Sequence, residues 1–364
     1  MRGLTALAAT AALLAACDPE ETLAPEAAPA TSAEAATGVI LSARPEQRRF
    51  RDWRAACDNG AACFAFAPSS EPDAGWLRLS VAAEADATPD VVIGLSPGAD
   101  GLSSTTPLVL TIHGERFTTR RIDAEAPMGR LAAADAMTVV RAAAAGTSAT
   151  ISAGGQSARL SLAGASAAML WIDERQGRLE TAGALVRVGD RPASARAPAL
   201  PRVAAAPAVD QAGFGGEDQA LPAAIETLPA VKTCRQETAW NDHVQRAVLS
   251  ARLGPDRELW AVPCFAGAYN LGLAVYVTGP GGRDPVAAAL PTAEGQTTDT
   301  VVNADYDPET RSLSAFDKGR GLGDCGVVRR WVWNGRGFAL AEETEMRECA
   351  GVPRDLWPTL WRSL

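Results

Sequence analysis

The stretch LSAFDKGRGLGDCGVVRRWVWNGRGFAL, residues 313–340, decides the fold of the C-terminal half. It joins a glycine-rich loop at 319–326 to an apolar segment and to the pair Asn334-Gly335, which is a strong hairpin signal. A two-residue loop would pair Trp331 with Phe338, whereas a four-residue loop would pair Trp333 with Phe338. Side chains alternate along a strand, so both registers put the same four large residues on one core face: Trp331, Trp333, Phe338 and Leu340.

The surrounding sequence predicts an antiparallel β domain over residues 231–364. Turn signals separate apolar segments at ordinary strand spacing, which is typical of a β meander. The predicted strands are 245–251, 258–263, 271–278, 300–303, 312–316, 327–333 and 337–341.

The segment 46–190 predicts an α+β domain that is mostly β. Asn59-Gly60 marks a hairpin, and further strands include Leu185–Val188. Two Ala-rich segments, Leu131–Ala145 and Ala165–Gln176, each end at a glycine and predict helices. Residues 191–230 are rich in Pro and Ala and predict a linker between the two domains.

The N-terminus predicts export. Residues 1–16 contain one charge followed by an apolar run that is typical of a signal peptide. Leu14-Ala15-Ala16-Cys17 resembles the lipobox of bacterial lipoproteins, and this resemblance implies that Cys17 carries acyl chains that anchor the protein to a membrane. An ordinary secretory signal is the alternative. Residues 17–45 predict a flexible tether. The expected location is the cell envelope, facing the periplasm, with inner and outer membrane both open.

The other six cysteines predict three disulfides, because an exported protein meets an oxidising compartment. Six cysteines allow 15 pairings. Short loops and the domain division favour the local pairs: Cys57–Cys63, Cys234–Cys264 and Cys325–Cys349. No C-x-x-C pattern is present, and the chain has only two histidines, so we expect no zinc site. The net charge of −9 argues against a nucleic-acid partner.

Several motifs resemble those of family number 1176 among the bacterial domains of unknown function. The motifs that carry the resemblance are FRDWRAACDN (50–59), LAGASAAMLWIDERQGRLETAGALVRVG (162–189), AVPCFAGAYN (261–270), FDKGRGLGDCGVVRRWVWNGRGFAL (316–340) and CAGVPRDLWPTLWR (349–362). The resemblance implies an exported protein and carries no assigned activity. The first domain is also similar, more weakly, to the invasion-associated locus B family, which implies a β-rich fold.

The glycine loop is the candidate binding site. Residues 321–326 match G-x-G-x-x-G, but the segment after them predicts a strand where a dinucleotide fold needs a helix. We therefore expect no cofactor. Backbone amides beside arginines can instead bind an anion or a carboxylate of a partner. The candidate binding residues are Arg320, Gly321, Gly323, Asp324, Arg329 and Arg330.

Other motifs predict structure more strongly than chemistry. Asn303–Asp307 imitates the start of a calcium loop, but Pro308 occupies the glycine position, which favours a β-turn. Gly164–Ala168 lacks the last glycine of a nucleophile elbow, so Ser166 is interpreted as a small residue at a packed helix start. His113 and His243 lie in no catalytic motif.

The sequence thus favours a non-catalytic envelope lipoprotein that binds another envelope protein or a polymer. The first alternative is an envelope hydrolase that uses His243 or carboxylates such as Asp317 and Asp324. The second is an inhibitor of an envelope hydrolase, with the glycine loop inserted into the cleft of its target.

Overall fold

The computed structural model describes residues 39–364 except 72–73, 96–101, 103–104, 124–126 and 217–218. The described residues form one unit by their contacts. The helices of the described residues are α1 (Ala133–Ala145), α2 (Ala165–Arg175), α3 (Ala223–Glu226), α4 (Pro229–Glu237) and α5 (Asp242–Arg246). The strands up to residue 200 are β1 (Val39–Ile40), β2 (Glu46–Phe50), β3 (Trp53–Cys57), β4 (Cys63–Pro68), β5 (Gly75–Val81), β6 (Asp90–Leu95), β7 (Val109–Ile112), β8 (Glu115–Thr118), β9 (Arg120–Arg121), β10 (Met128–Arg130), β11 (Ser148–Ala153), β12 (Gln156–Ser161) and β13 (Ala195–Arg196). The later strands are β14 (Leu249–Gly254), β15 (Arg257–Ala266), β16 (Leu271–Gly279), β17 (Arg283–Ala287), β18 (Leu290–Pro291), β19 (Thr297–Thr298), β20 (Thr300–Val302), β21 (Asp305–Asp307), β22 (Ser312–Lys318), β23 (Gly326–Trp333), β24 (Phe338–Met346) and β25 (Thr359–Arg362).

The first half of the described chain is built on a seven-stranded antiparallel sheet, in the order β2-β3-β4-β5-β6-β10-β9. A four-stranded sheet, β12-β11-β7-β8, and the helices α1 and α2 share one hydrophobic core with it. Alternation along β5 sends Leu77 and Leu79 into this core and Trp76 to the opposite face. Both faces of the central strands are therefore buried.

The second half is a β-sandwich. One sheet contains β14-β15-β16-β17, with β20 also paired to β16, and the other contains β21-β22-β23-β24-β25. Leu259 and Val275 of the first sheet share a core with the four large residues of the predicted hairpin face. The outer face of the first sheet is covered by α3 and α4, and the disulfide Cys234–Cys264 joins α4 to β15.

A third apolar cluster joins the two halves. Phe66, Trp76, Val92 and Met128 of the seven-stranded sheet pack against residues of the C-terminal segment, which include Val352, Leu356 and Trp357. The disulfide Cys325–Cys349 lies in the same cluster.

The last strand also binds the turn between β3 and β4. The Nδ2 of Asn59 donates to the carbonyl of Arg362 at 2.9 Å, and its Oδ1 accepts from the amide of Arg362 at 3.0 Å. Asp58 forms an ion pair with the same arginine at 2.7 Å. Polar contacts therefore fasten the C-terminus to the turn that the disulfide Cys57–Cys63 closes.

Several sequence predictions are confirmed. The fold is α+β and mostly β, and all three predicted disulfides are present. Of the two possible registers, the hairpin has the one with the four-residue loop: Trp333 pairs with Phe338, and Trp331 pairs with Leu340.

Other predictions need correction. No strand forms at Leu185–Val188, where the amides of Leu185 and Val186 donate to the buried carboxylate of Asp173 instead. The strand predicted at 245–251 begins only at Leu249, because residues 242–246 form α5, whose start is capped by the side chain of Asn241.

Ordered segments also occur in the regions assigned to the tether and the linker. Strand β1 lies within 17–45, and Leu41 is buried. Helix α3 lies within 191–230, where the amides of Val203 and Ala206 also bond to Leu364 and Trp333. The division into two domains remains a prediction. Within the part of the chain that the structure describes, no helix is both long and apolar enough for a membrane span.

Replacing Trp357 by alanine should lower the free energy of unfolding by about 3 kcal/mol or more, because it opens a cavity in the cluster between the halves. Trp357 is 2% exposed, and its Nε1 donates to the carbonyl of Val352 at 2.9 Å. Urea unfolding followed by far-ultraviolet circular dichroism measures the loss. Trp240→Ala is the matched control, since Trp240 is 65% exposed, and its effect should stay within about 0.5 kcal/mol. Equal losses for both variants would contradict the packing described.

Candidate functional site

The glycine loop, residues 319–326, connects β22 to β23 at one end of the sandwich. Gly326 has a φ of +131°, and a Cβ there would lie 2.0 Å from the carbonyl oxygen of Asp317. A Cβ at Gly319 would lie 2.7 Å from the Sγ of Cys325. The loop can follow this close path only because these positions lack side chains. The segment after it is a strand, so the helix required by a dinucleotide fingerprint does not follow this loop.

The charged residues inside the loop bind each other. The Nε and Nη2 of Arg320 lie 2.7 and 2.6 Å from the two oxygens of Asp324. The amide of Gly351, two residues after the disulfide partner Cys349, donates to the same carboxylate at 2.7 Å. Burial alone would raise the pKa of Asp324, but the hydrogen bonds from Arg320 and Gly351 outweigh it and lower the pKa below its ordinary value of 3.8. The ion pair therefore fixes the loop.

Arg329 and Arg330 lie on β23 and not in the loop. The Nε of Arg329 bonds to the buried Glu343 at 2.8 Å, and Glu343 also accepts the amide of Ala293. Arg330 lies 3.5 Å from Glu342 on the neighbouring strand. These pairings give little support to the anion site, because an incoming anion would have to compete with carboxylates already in place.

A second turn is attached to the glycine loop. Asn303, with a φ of +47°, places its Nδ2 2.9–3.1 Å from the carbonyls of Tyr269 and Phe316 and from the Oδ1 of Asn270. Asn270 in turn donates to the carbonyl of Lys318 at 3.0 Å. The turn between β15 and β16 is thereby held against the end of β22.

The tip, defined as Leu322 and Tyr269, is the exposed part of this assembly. Leu322 is 79% exposed and Tyr269 is 41% exposed. The ring of Tyr269 lies against Gly321, and its hydroxyl donates to the carbonyl of Gly319 at 3.3 Å. An apolar side chain is thus presented to solvent on a backbone held by a disulfide, an ion pair and several hydrogen bonds.

The remaining candidates lie apart from the tip or serve the fold. His113 is exposed in the turn between β7 and β8, and His243 is exposed on α5. Ser166 is in the first turn of α2 beside Gly164, where a Cβ would lie 1.7 Å from the carbonyl oxygen of Phe50. Asp307 accepts hydrogen bonds from the amides of Glu309 and Thr310, as expected of a turn.

Among the described residues, no group of three His, Cys, Asp or Glu side chains could hold a metal ion. Cys17 and the signal segment lie outside the described residues.

Sequence reasoning missed the tip and its support. A single leucine, Leu322, among the four glycines of the loop is the sequence signal that indicates an exposed apolar residue. The role of Asn303 left no such signal, because its partners come from the turn between β15 and β16 (Tyr269 and Asn270) and from strand β22 (Phe316).

Comparison with known proteins places the tip and the three disulfides inside one matched region. A family model described as "Protein of unknown function (DUF1176)" matches residues 47–363. One relative, the "Uncharacterized protein YpfG" of Escherichia coli (strain K12), is 30% identical over 339 residues, which are 88% of this chain and 94% of the relative. No solved structure matches the chain significantly.

Replacing Asp324 by asparagine should lower the free energy of unfolding at pH 7 by about 2 kcal/mol, since charge-assisted hydrogen bonds to Arg320 and Gly351 are lost. The folded-state pKa of Asp324 is lowered. This stabilisation is therefore complete above the pKa that the Asp324 carboxyl has in the unfolded chain, and it disappears as the pH falls through the folded-state pKa. The difference between wild type and variant, measured by urea unfolding, should therefore shrink in acid.

Asp305→Asn is the control for this experiment, because it removes the same charge from an exposed position on β21. It should change stability little at any pH. A difference for Asp324→Asn that stays constant down to acid pH would contradict the ion-pair mechanism.

Proposed function

Because the chain belongs to the DUF1176 family of proteins of unknown function, we propose its function from its own geometry: a non-catalytic, lipid-anchored binding protein of the cell envelope. Its binding element is the tip, and its partner is another envelope protein. The observation that carries the proposal is the 79% exposure of Leu322 on a loop that a disulfide anchors at Cys325.

The rigidity of the tip supports binding to a protein. Ordering a flexible loop costs free energy on association, and a loop that is ordered beforehand avoids that cost. Here the disulfide, the pair Arg320–Asp324 and the contacts of Tyr269 supply the order. Tyrosine, the second residue of the tip, is also among the side chains enriched at the buried centres of protein interfaces.

The same feature fits an inhibitor, which would insert the tip into the cleft of a hydrolase. Identification of the partner distinguishes the two roles.

The hydrolase alternative has less support. No ion pair between a histidine and a carboxylate is present within the described ranges, and Asp324 is held in its ion pair with Arg320. Asp317 accepts a hydrogen bond from Asn270.

The envelope location rests on the sequence of the N-terminus. A lipid on Cys17 would hold the protein at a membrane without a spanning helix, and residues 18–38 would separate the anchor from β1. The three disulfides agree with an oxidising compartment.

A photoreactive amino acid at position 322, introduced into the full chain in living cells, should give a discrete protein adduct on irradiation. The same amino acid at position 286 is the matched control, since Val286 is 66% exposed on β17, and it should give at least tenfold less adduct. Mass spectrometry identifies the partner. Equal adducts at the two positions, or no protein adduct at 322, would refute the tip as the binding element.

Replacing Cys17 by serine should remove the anchor. We expect the protein to move from the carbonate-washed membrane fraction to the soluble fraction and to lose incorporation of a clickable palmitate analogue. Immunoblotting and in-gel fluorescence measure the two effects. Unchanged labelling and membrane retention would refute the anchor and leave the proposal for the tip intact.

A further inference from the structure

A cavity of about 510 Å³ lies between the edge strand β17 and the hairpin β23–β24. Val286 of β17 pairs with Val277 of β16, and Val277 packs against the sandwich core. Ala288, two residues after Val286, is buried in that core, so alternation directs Val286 to the same inner side. Val286 is nevertheless 66% exposed. The inner face of the first sheet is therefore apolar and uncovered at this edge.

The opposite wall of the cavity is aromatic. Trp333 and Phe338 border it from the second sheet, on the two sides of the hairpin loop. Their rings meet edge to face, with centroids 5.2 Å apart and planes at 63°. Both rings are buried in the sandwich core, so this wall is fixed by packing before any ligand arrives.

The rim of the cavity carries an unpaired positive charge. Arg257 begins β15 and Asp284 is the second residue of β17, so both lie at the end of the first sheet where β16 stops at Gly279. Their opposite charges offset each other in part, and Asp284 is the only carboxylate among the described residues that border the cavity. Arg336 comes from the facing hairpin loop and is exposed. Within the described ranges its guanidinium has neither an ion pair nor a hydrogen bond, so it is available to an anion.

We propose that this cavity binds a small aromatic carboxylate. The ring of the ligand lies between Val286 and the pair Trp333–Phe338, and the carboxylate lies beside Arg336. Aromatic rings attract one another in edge-to-face and offset arrangements, which an aliphatic ligand cannot make. Small-molecule sites have volumes of about 300–1,000 Å³ and combine apolar and aromatic walls with a few polar groups. A guanidinium keeps its charge at neutral pH and matches the two oxygens of a carboxylate.

Ligand-detected NMR titration with 3-phenylpropionate tests the proposal on the full chain carrying Cys17→Ser, which needs no detergent. Saturable binding at one site is expected, with weaker binding of 3-cyclohexylpropionate. Arg336→Gln should weaken 3-phenylpropionate about fivefold or more, because a charge-assisted hydrogen bond is lost, and should leave the affinity for 3-phenylpropan-1-ol unchanged. Val286→Gln should weaken the acid and the alcohol alike, because a polar side chain replaces part of the apolar wall.

The matched controls are Arg283→Gln, an exposed arginine on β17 that does not border the cavity, and Val188→Gln, a 49% exposed valine outside the sandwich. Both should bind 3-phenylpropionate like the parent chain. All four positions are exposed, so the variants keep the core intact. Three results would overturn the proposal: no saturable binding to the parent, binding of 3-phenylpropylamine or of the cyclohexyl acid as tight as that of the aromatic acid, or an Arg336→Gln variant that behaves like Arg283→Gln.

Discussion

The structure depends on the packing of the C-terminal segment against the outer face of the seven-stranded sheet. Trp76 is completely buried there, and Gly94 on the next strand leaves room for its ring, since a Cβ at Gly94 would lie 2.4 Å from that ring. Leu356 and Trp357 close the same cluster. Without this cover, strands β4–β6 would expose one of two apolar faces, and exposed apolar surface of that extent is unfavourable in water.

The same cluster accounts for the rigidity of the tip. Cys325 ends the glycine loop and is buried in the cluster with Val352, while its disulfide partner Cys349 packs against it. Gly351 bonds to Asp324 from the same segment. The residues that join the two halves thus also anchor the loop that presents Leu322, so the stability of the fold and the order of the tip have a common origin.

The parts of the structure that the sequence predicts are those set by local chemistry. The Asn334-Gly335 turn and strand alternation predict the hairpin face, and short separations predict the three disulfides. Helix α5 was missed because five residues carry too little periodicity to outweigh neighbouring β-branched residues. The strand at Leu185–Val188 failed because the distant Asp173 takes two of its amides. Pairs such as Arg329–Glu343 depend on the register of separate strands, which composition does not encode.

Asn303 belongs both to the support of the tip and to the border of a surface cavity lined by Leu271 and Leu273 of β16. Coupling between two sites requires a connecting element with two arrangements that the ligands bind unequally. Asn303 has only one arrangement. Its Nδ2 is shared among three acceptors. Its Oδ1 accepts a hydrogen bond from the amide of Leu271 at 2.9 Å, and its own amide donates to the carbonyl of Leu271 at 2.8 Å. A second arrangement would break these bonds together and leave buried polar groups unpaired, which is costly. Asn303 therefore holds the turn between β20 and β21 in one arrangement against the support of the tip.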